Sequence, residues 1–218
     1  SIIETALTKT LKSKIKINGS GRTDAGVHAT GQSANFFCKN IIKSHFKFLN
    51  TTNFFLKNNL IAIISVKKRN KNFHARHSAK KRTYKYIIHN RTGKLAINEN
   101  RSWLVKKNLN FENMKKAINY FRGTHNFSAF RASSCSAINP IKTITKANIK
   151  KKEDKIIITF ESRSFLQKQV RSMVGCLKYV GEKKWKPEKI KLIISSKKRK
   201  LCAPPAPPEG LYLKKVIY

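Results

Sequence analysis

The stretch GSGRTDAGVHATGQ at residues 19–32 holds the residue types best suited to chemistry. It carries four of the nine glycines, Gly19, Gly21, Gly26 and Gly31, and one of the two aspartates, Asp24, the other being Asp154. Glycines at this density let the backbone take positive φ and let another molecule approach closely. A carboxylate in such a loop, two residues after Arg22, suggests a chemical site, although composition alone favours a turn or helix-cap aspartate. With 48 basic and 10 acidic residues, the chain points to a polyanionic partner.

Other reactive types are less organised. His28 follows the loop, and a hydrogen-bonded structural role suits it better than a general base. His74 and His77 have i, i+3 spacing but no third ligand, so no metal is assigned. Cys38, Cys135, Cys176 and Cys202 are scattered without a Cys-x-x-Cys pair. They offer no zinc site or disulfide framework, and reduced thiols are the default.

The loop must be positioned by the elements around it. Apolar spacing predicts a helix over residues 2–12, a short strand over 14–18 entering the loop and another over 32–38 leaving it. Residues 46–55 form a short helix or turn, and the β-branched run 60–66 reads as a buried strand. A basic stretch, 67–72, separates two halves. Residues 82–89 alternate as a strand with Tyr84, Tyr86 and Ile88 on one face. Residues 111–121 are an amphipathic helix burying Met114, Ala117, Ile118 and Phe121. Strands follow at 141–149 and 155–160 as a hairpin, then a helix at 165–180 and another at 187–195, opened by proline. A proline-rich loop at 203–208 leads to a closing strand at 211–217. Strands alternating with helices predict an α+β architecture with helices on one sheet face.

Composition bounds the rest. A chain of 218 residues can bury a real core, and 40% hydrophobic content with 13 Phe argues against disorder. The net charge of +38 suits a phosphate backbone. Only 11 of the 48 basic residues are Arg, a Lys bias that also fits drift toward A/T-rich codons. A solvated surface therefore explains much of the excess. The longest apolar run, 60–66, is too short to span a membrane, and no signal peptide is visible. The chain starts with Ser and goes straight into helical spacing, which predicts that residues precede it.

Four segments in order, with a fifth between them, resemble the tRNA pseudouridine synthase A family. GRTDAGVHA (21–29) is similar to its catalytic loop. FHARHSA (73–79) with KRTYKY (81–86) is similar to its interdomain segment and tyrosine strand. SFLQKQVRSMVG (164–175) resembles its arginine-bearing helix, and APPEGLYL (206–213) its C-terminal loop and strand. HNFSAFR (125–131) is the fifth. The chain departs from the family in Asn126, where Asp is usual, in Gln169, where Met is common, and in its Lys excess. Another strand normally precedes the point where this chain begins.

The resemblance implies two ferredoxin-like α/β-sandwich halves, 1–72 with the Asp loop and 73–218 with the Tyr strand and Arg helix. Their antiparallel sheets meet at a central active-site cleft. It implies an isomerase that converts uridine to pseudouridine on the 3′ side of the tRNA anticodon stem and loop, as a homodimer in a bacterial cytosol or organelle matrix. No cofactor is required: the N1–C1′ bond breaks, the base turns, and C5 joins C1′. Asp24 would take the C2′ proton to form a glycal or attack C1′ to form an ester. Arg171 would be its buried partner. Arg22 would hold the flipped nucleotide or fill its place in the stack. Tyr84 would stack on the uracil and help move the C5 proton, with Leu211 packing from the other side. Arg76 and His77 would contact RNA. Tyr86 suits the sheet core better. The rival reading is a tRNA-binding module of the same fold with little or no turnover; an unrelated basic RNA-binding protein predicts the charge but not the ordered motifs.

Overall fold

The computed structural model describes residues 1–39 and 41–218. The fold is α+β, and the chain divides into two compact units: residues 1–21 with 33–78, and residues 22–32 with 79–218.

The first unit packs helices α1 (Ile2–Leu11) and α2 (His45–Leu56) with a two-stranded antiparallel sheet of β1 (Ile17–Gly19) and β3 (Ala34–Phe36). Leu7, Ile15 and Phe48 form its core, with Ile3, Leu11, Ile17 and Phe36 against them. Ser44 caps α2 by accepting from the Lys47 N–H, and Phe48, Thr52 and Leu56 bury one stripe at intervals of four.

The expected strand over 60–66 is absent. Those residues are irregular, and Leu60 and Ile64 are exposed. The paired sheet of this unit is only β1 and β3, so the β-branched run finds no ladder among the described residues. Asn53 holds it instead, its amide donating to and accepting from the backbone of Ile63.

The second unit is built on a seven-stranded sheet. Its path runs β2 (His28–Ala29), β9 (Leu211–Ile217), β4 (Lys81–His89), β8 (Lys155–Ser162), β7 (Ile141–Lys152) and β6 (Gly123–Asn126). β5 (Trp103–Leu104) pairs parallel with the far end of β4. β2 runs parallel to β9, and every other neighbour on the path is antiparallel. Strand β8 buries every second residue, Ile156, Ile158, Phe160 and Ser162. A bulge at Thr145 lets Ile144 and Ala147 of β7 both turn inward.

Helices α3 (Phe111–Ile118), α4 (Gln169–Gly181) and α5 (Lys189–Ser196) join the inward residues of β4, β7 and β8 in one core. Met114, Ala117, Ile118 and Phe121 are all buried, as their spacing predicts. Helix α4 starts at Gln169 rather than residue 165, because Lys168 is left-handed (φ 60°), which stops a right-handed helix from extending back. Apolar spacing continues through Phe165 and Leu166 because both pack on the core from the preceding turn.

Candidate active site

Asp24 sits on the segment between β1 and β2. Both β1 and β3 belong to the first unit, yet residues 22–32 belong to the second. The reason is local. β2 pairs with Tyr212 and Leu213 of β9, and the N–H groups of Thr30 and Gly31 donate to the Leu213 carbonyl at 3.0 and 3.2 Å. The Asp24 carbonyl accepts from the Val27 N–H at 3.1 Å, closing a tight turn in which Gly26 takes φ 77°. That conformation suits glycine, and a Cβ there would also lie 3.0 Å from the Pro208 ring.

Arg171 lies in the first turns of α4 and donates from Nη1 to Asp24 Oδ2 at 2.6 Å. The side chains are 12% and 27% exposed, so the pair is sheltered but the carboxylate is reachable. Among the described residues Asp24 Oδ1 has no hydrogen-bond partner. One oxygen is thus held by a cation and the other is open. A charge-assisted bond of this length fixes the orientation of the carboxylate and leaves its second oxygen free to act.

Arg171 is itself held. Its Nε donates to the Ala206 carbonyl at 2.7 Å, and the Ala206 N–H donates to the Arg171 carbonyl at 2.9 Å. Helix and loop come this close because residue 175 is glycine: a Cβ there would stand 2.0 Å from the Pro204 carbonyl oxygen.

Tyr84 lies on β4 with its ring edge-on to Phe165, centroids 5.2 Å apart. Burial raises its phenol above the ordinary value; the Arg82 charge opposes this and the Asp24 charge adds to it. The phenol therefore keeps its proton at neutral pH. Leu211 is buried on β9, in register with Tyr86 and in the core cluster against which Tyr84 packs. Arg22 is exposed and makes no hydrogen bond or ion pair among the described residues. The structure thus brings together Asp24, Arg171 and Tyr84.

Arg76 and His77 are exposed in the first unit. They belong to a turn organised by His74, whose Nδ1 accepts from the N–H groups of Arg76 and His77 at 3.1 and 3.4 Å. His74 therefore serves its own turn. His28 stacks on Tyr212, centroids 4.8 Å apart, and its Nε2 lies 2.8 Å from the Asn100 carbonyl.

Sequence reasoning missed the role of residues 203–210 in gathering the site. Pro208 meets Gly26, Ala206 holds Arg171, and Tyr86 Oη donates to the Pro207 carbonyl at 2.8 Å. A Cβ on Gly210 would lie 2.5 Å from the Tyr86 ring. The signals were a glycine inside helix α4 and a proline run ending in glycine.

A sheet flanked by helices thus carries a carboxylate clasped by a helix arginine, with a protonated tyrosine that feels its charge. A family model described as tRNA pseudouridine synthase matches residues 117–218, which include Arg171 and the 203–210 loop. The tRNA pseudouridine synthase A of Pelagibacter ubique (strain HTCC1062) is 55% identical over 216 residues, 99% of this chain and 88% of the relative. Those of Ehrlichia chaffeensis (strain ATCC CRL-10679 / Arkansas) and Neorickettsia sennetsu (strain ATCC VR-367 / Miyayama) are 45% and 40% identical, each covered over 88% of its length by 100% and 99% of this chain. The chain belongs to the tRNA pseudouridine synthase A family.

Proposed function

We propose that this chain isomerises uridine to pseudouridine in tRNA, with Asp24 as the catalytic carboxylate. The observation that carries the reading is the Asp24–Arg171 pair, one carboxylate oxygen bonded at 2.6 Å and the other open. Asp24 acts at the ribose, by proton abstraction at C2′ or by attack at C1′. Either route breaks N1–C1′ while the base stays bound, then forms C5–C1′. The C5 proton leaves to solvent and N1 gains one. Tyr84 presents its ring to the detached uracil, a stacking contact of ~1–3 kcal/mol. Because its phenol is protonated at neutral pH, it serves the resting site as a donor and a surface rather than as a base. Leu211 closes the base pocket from β9. Arg22, exposed two residues before Asp24, takes the place or the phosphate of the extruded nucleotide.

The reading extends to the 3′ side of the anticodon stem and loop as substrate, to backbone contacts from Arg76 and His77, and to a homodimer working in a bacterial cytosol or organelle matrix. These finer points rest on the resemblance and on the net charge of +38. Among the described residues no helix is long and apolar enough to cross a membrane.

Tritium release from C5-labelled uridine in unmodified tRNA tests the proposal. The parent protein should release it. Asp24→Ala should release none, while tRNA affinity stays within a few-fold because phosphate contacts supply most of it. Binding lost as completely as turnover would reassign Asp24 to RNA recognition. Salt-sensitive binding without release by the parent would favour the binding module.

A further inference from the structure

We propose that Tyr86 is a positioning residue for this reaction: its hydroxyl sets the 203–207 loop, and through that loop the guanidinium that holds Asp24. The inference rests on the reading of Asp24 and Arg171 above.

Tyr86 is fully buried, so it touches no substrate. Its Oη nevertheless donates to the Pro207 carbonyl at 2.8 Å. One peptide away, the Ala206 carbonyl accepts from Arg171 Nε at 2.7 Å, and Arg171 Nη1 reaches Asp24 at 2.6 Å. Three short bonds thus connect a core phenol to the open carboxylate through a single loop.

The composition of the loop explains the dependence. Residues 203–208 read APPAPP, and prolines have no N–H. Within this stretch only Ala203 and Ala206 can donate from the backbone, and Ala206 is already committed to the Arg171 carbonyl. The loop must be held by donors that come to its carbonyls. Arg199 supplies one at Ala203, Arg171 one at Ala206, and Tyr86 one at Pro207. The Tyr86 ring is seated by contact with Gly210, where a Cβ would lie 2.5 Å away. Tyr86→Phe keeps that contact and removes only the donor.

The prediction is a split in the kinetics. Y86F should lower kcat for tritium release about tenfold, as small displacements of a catalytic group do. KM for tRNA should stay within about twofold, since Tyr86 contacts no RNA. A second readout needs no turnover. The Arg171 Nε–H proton, bonded to the Ala206 carbonyl, should be observable by NMR with slow solvent exchange in the parent and should exchange markedly faster in Y86F. Unchanged kcat, a change in KM alone, or an unaltered Arg171 Nε–H would overturn the proposal. So would a Y86F protein that fails to fold, which would assign the hydroxyl to stability. Parent and Asp24→Ala assays run alongside separate this outcome from failure of the reading it rests on. A parent that turns over while D24A does not, with Y86F like the parent, removes the role of Tyr86 alone.

Discussion

Tyr84 and Tyr86 stand two residues apart on β4, and burial raises the phenol of each above its ordinary value. For Tyr86 the Glu209 charge adds to burial and Arg171 opposes it. Their alternation in the sequence placed them on one strand face but could not assign them different partners. Tyr84 meets Phe165 and feels the charge of Asp24, whereas Tyr86 meets Pro207 and Gly210. The raised phenols have a consequence for stability. An unfolded tyrosine ionises near pH ~10, while these do so higher, so the unfolded state sheds protons first as pH rises. Their contribution is complete below pH ~10 and declines above it. Lysines lose charge over the same range, so the effect is best read as a difference. Urea unfolding of the parent and Tyr84→Phe should show the parent's relative stability falling between pH ~9 and ~11. A pH-independent difference would count against a buried, protonated phenol.

At the scale of elements, the 203–210 loop is the piece on which the strand of Tyr84, the helix of Arg171 and the loop of Asp24 converge. Its approach to α4 depends on Gly175, since a Cβ there would overlap the Pro204 carbonyl oxygen at 2.0 Å. Two backbones meet at that point, so neither can yield by a rotamer change. Gly175→Ala should destabilise by about 1–3 kcal/mol through overpacking and should lower kcat by moving Ala206 away from Arg171. Gly93→Ala is the control: nothing lies within 4 Å of that Cβ, and the change should stay within about 0.5 kcal/mol. Denaturant midpoints for the two variants check this, and equal midpoints would mean the loop rearranges freely. Elements with a strong period were legible: α3, the β7–β8 hairpin and β9 lie where their patterns put them. Three others were not. β2, β5 and β6 are two to four residues long, too short to show a period. The run 60–66 had β-forming composition, but a strand also needs a neighbour to pair with.

For the whole molecule, charge governs encounter with RNA more than it governs fold. Forty-eight basic residues against 10 acidic should make tRNA binding strongly salt-dependent. Affinity should fall at least about 100-fold between roughly 50 and 200 mM monovalent salt, with parallel log–log slopes for the parent and Asp24→Ala. A flat salt response would show that the lysines are solvated surface with no part in binding. Different slopes would place Asp24 among the groups that meet the phosphates.

The amino-acid sequence by itself determined the family and the α+β class, and it offered the candidates for the chemistry. Those are carried by short contiguous strings, such as the loop around Asp24 and the helix around Arg171, that can be read in one dimension. The tertiary structure decided which unit the loop joins and what holds the site together. Asp24 and Arg171 are 147 residues apart in the chain, and their 2.6 Å contact exists only because the loop pairs with β9 while α4 packs on the 203–210 segment. Long-range contacts of this kind depend on backbone approach, on glycines that leave room and on carbonyls without local donors. Those are properties of packing, and a local pattern carries no record of them.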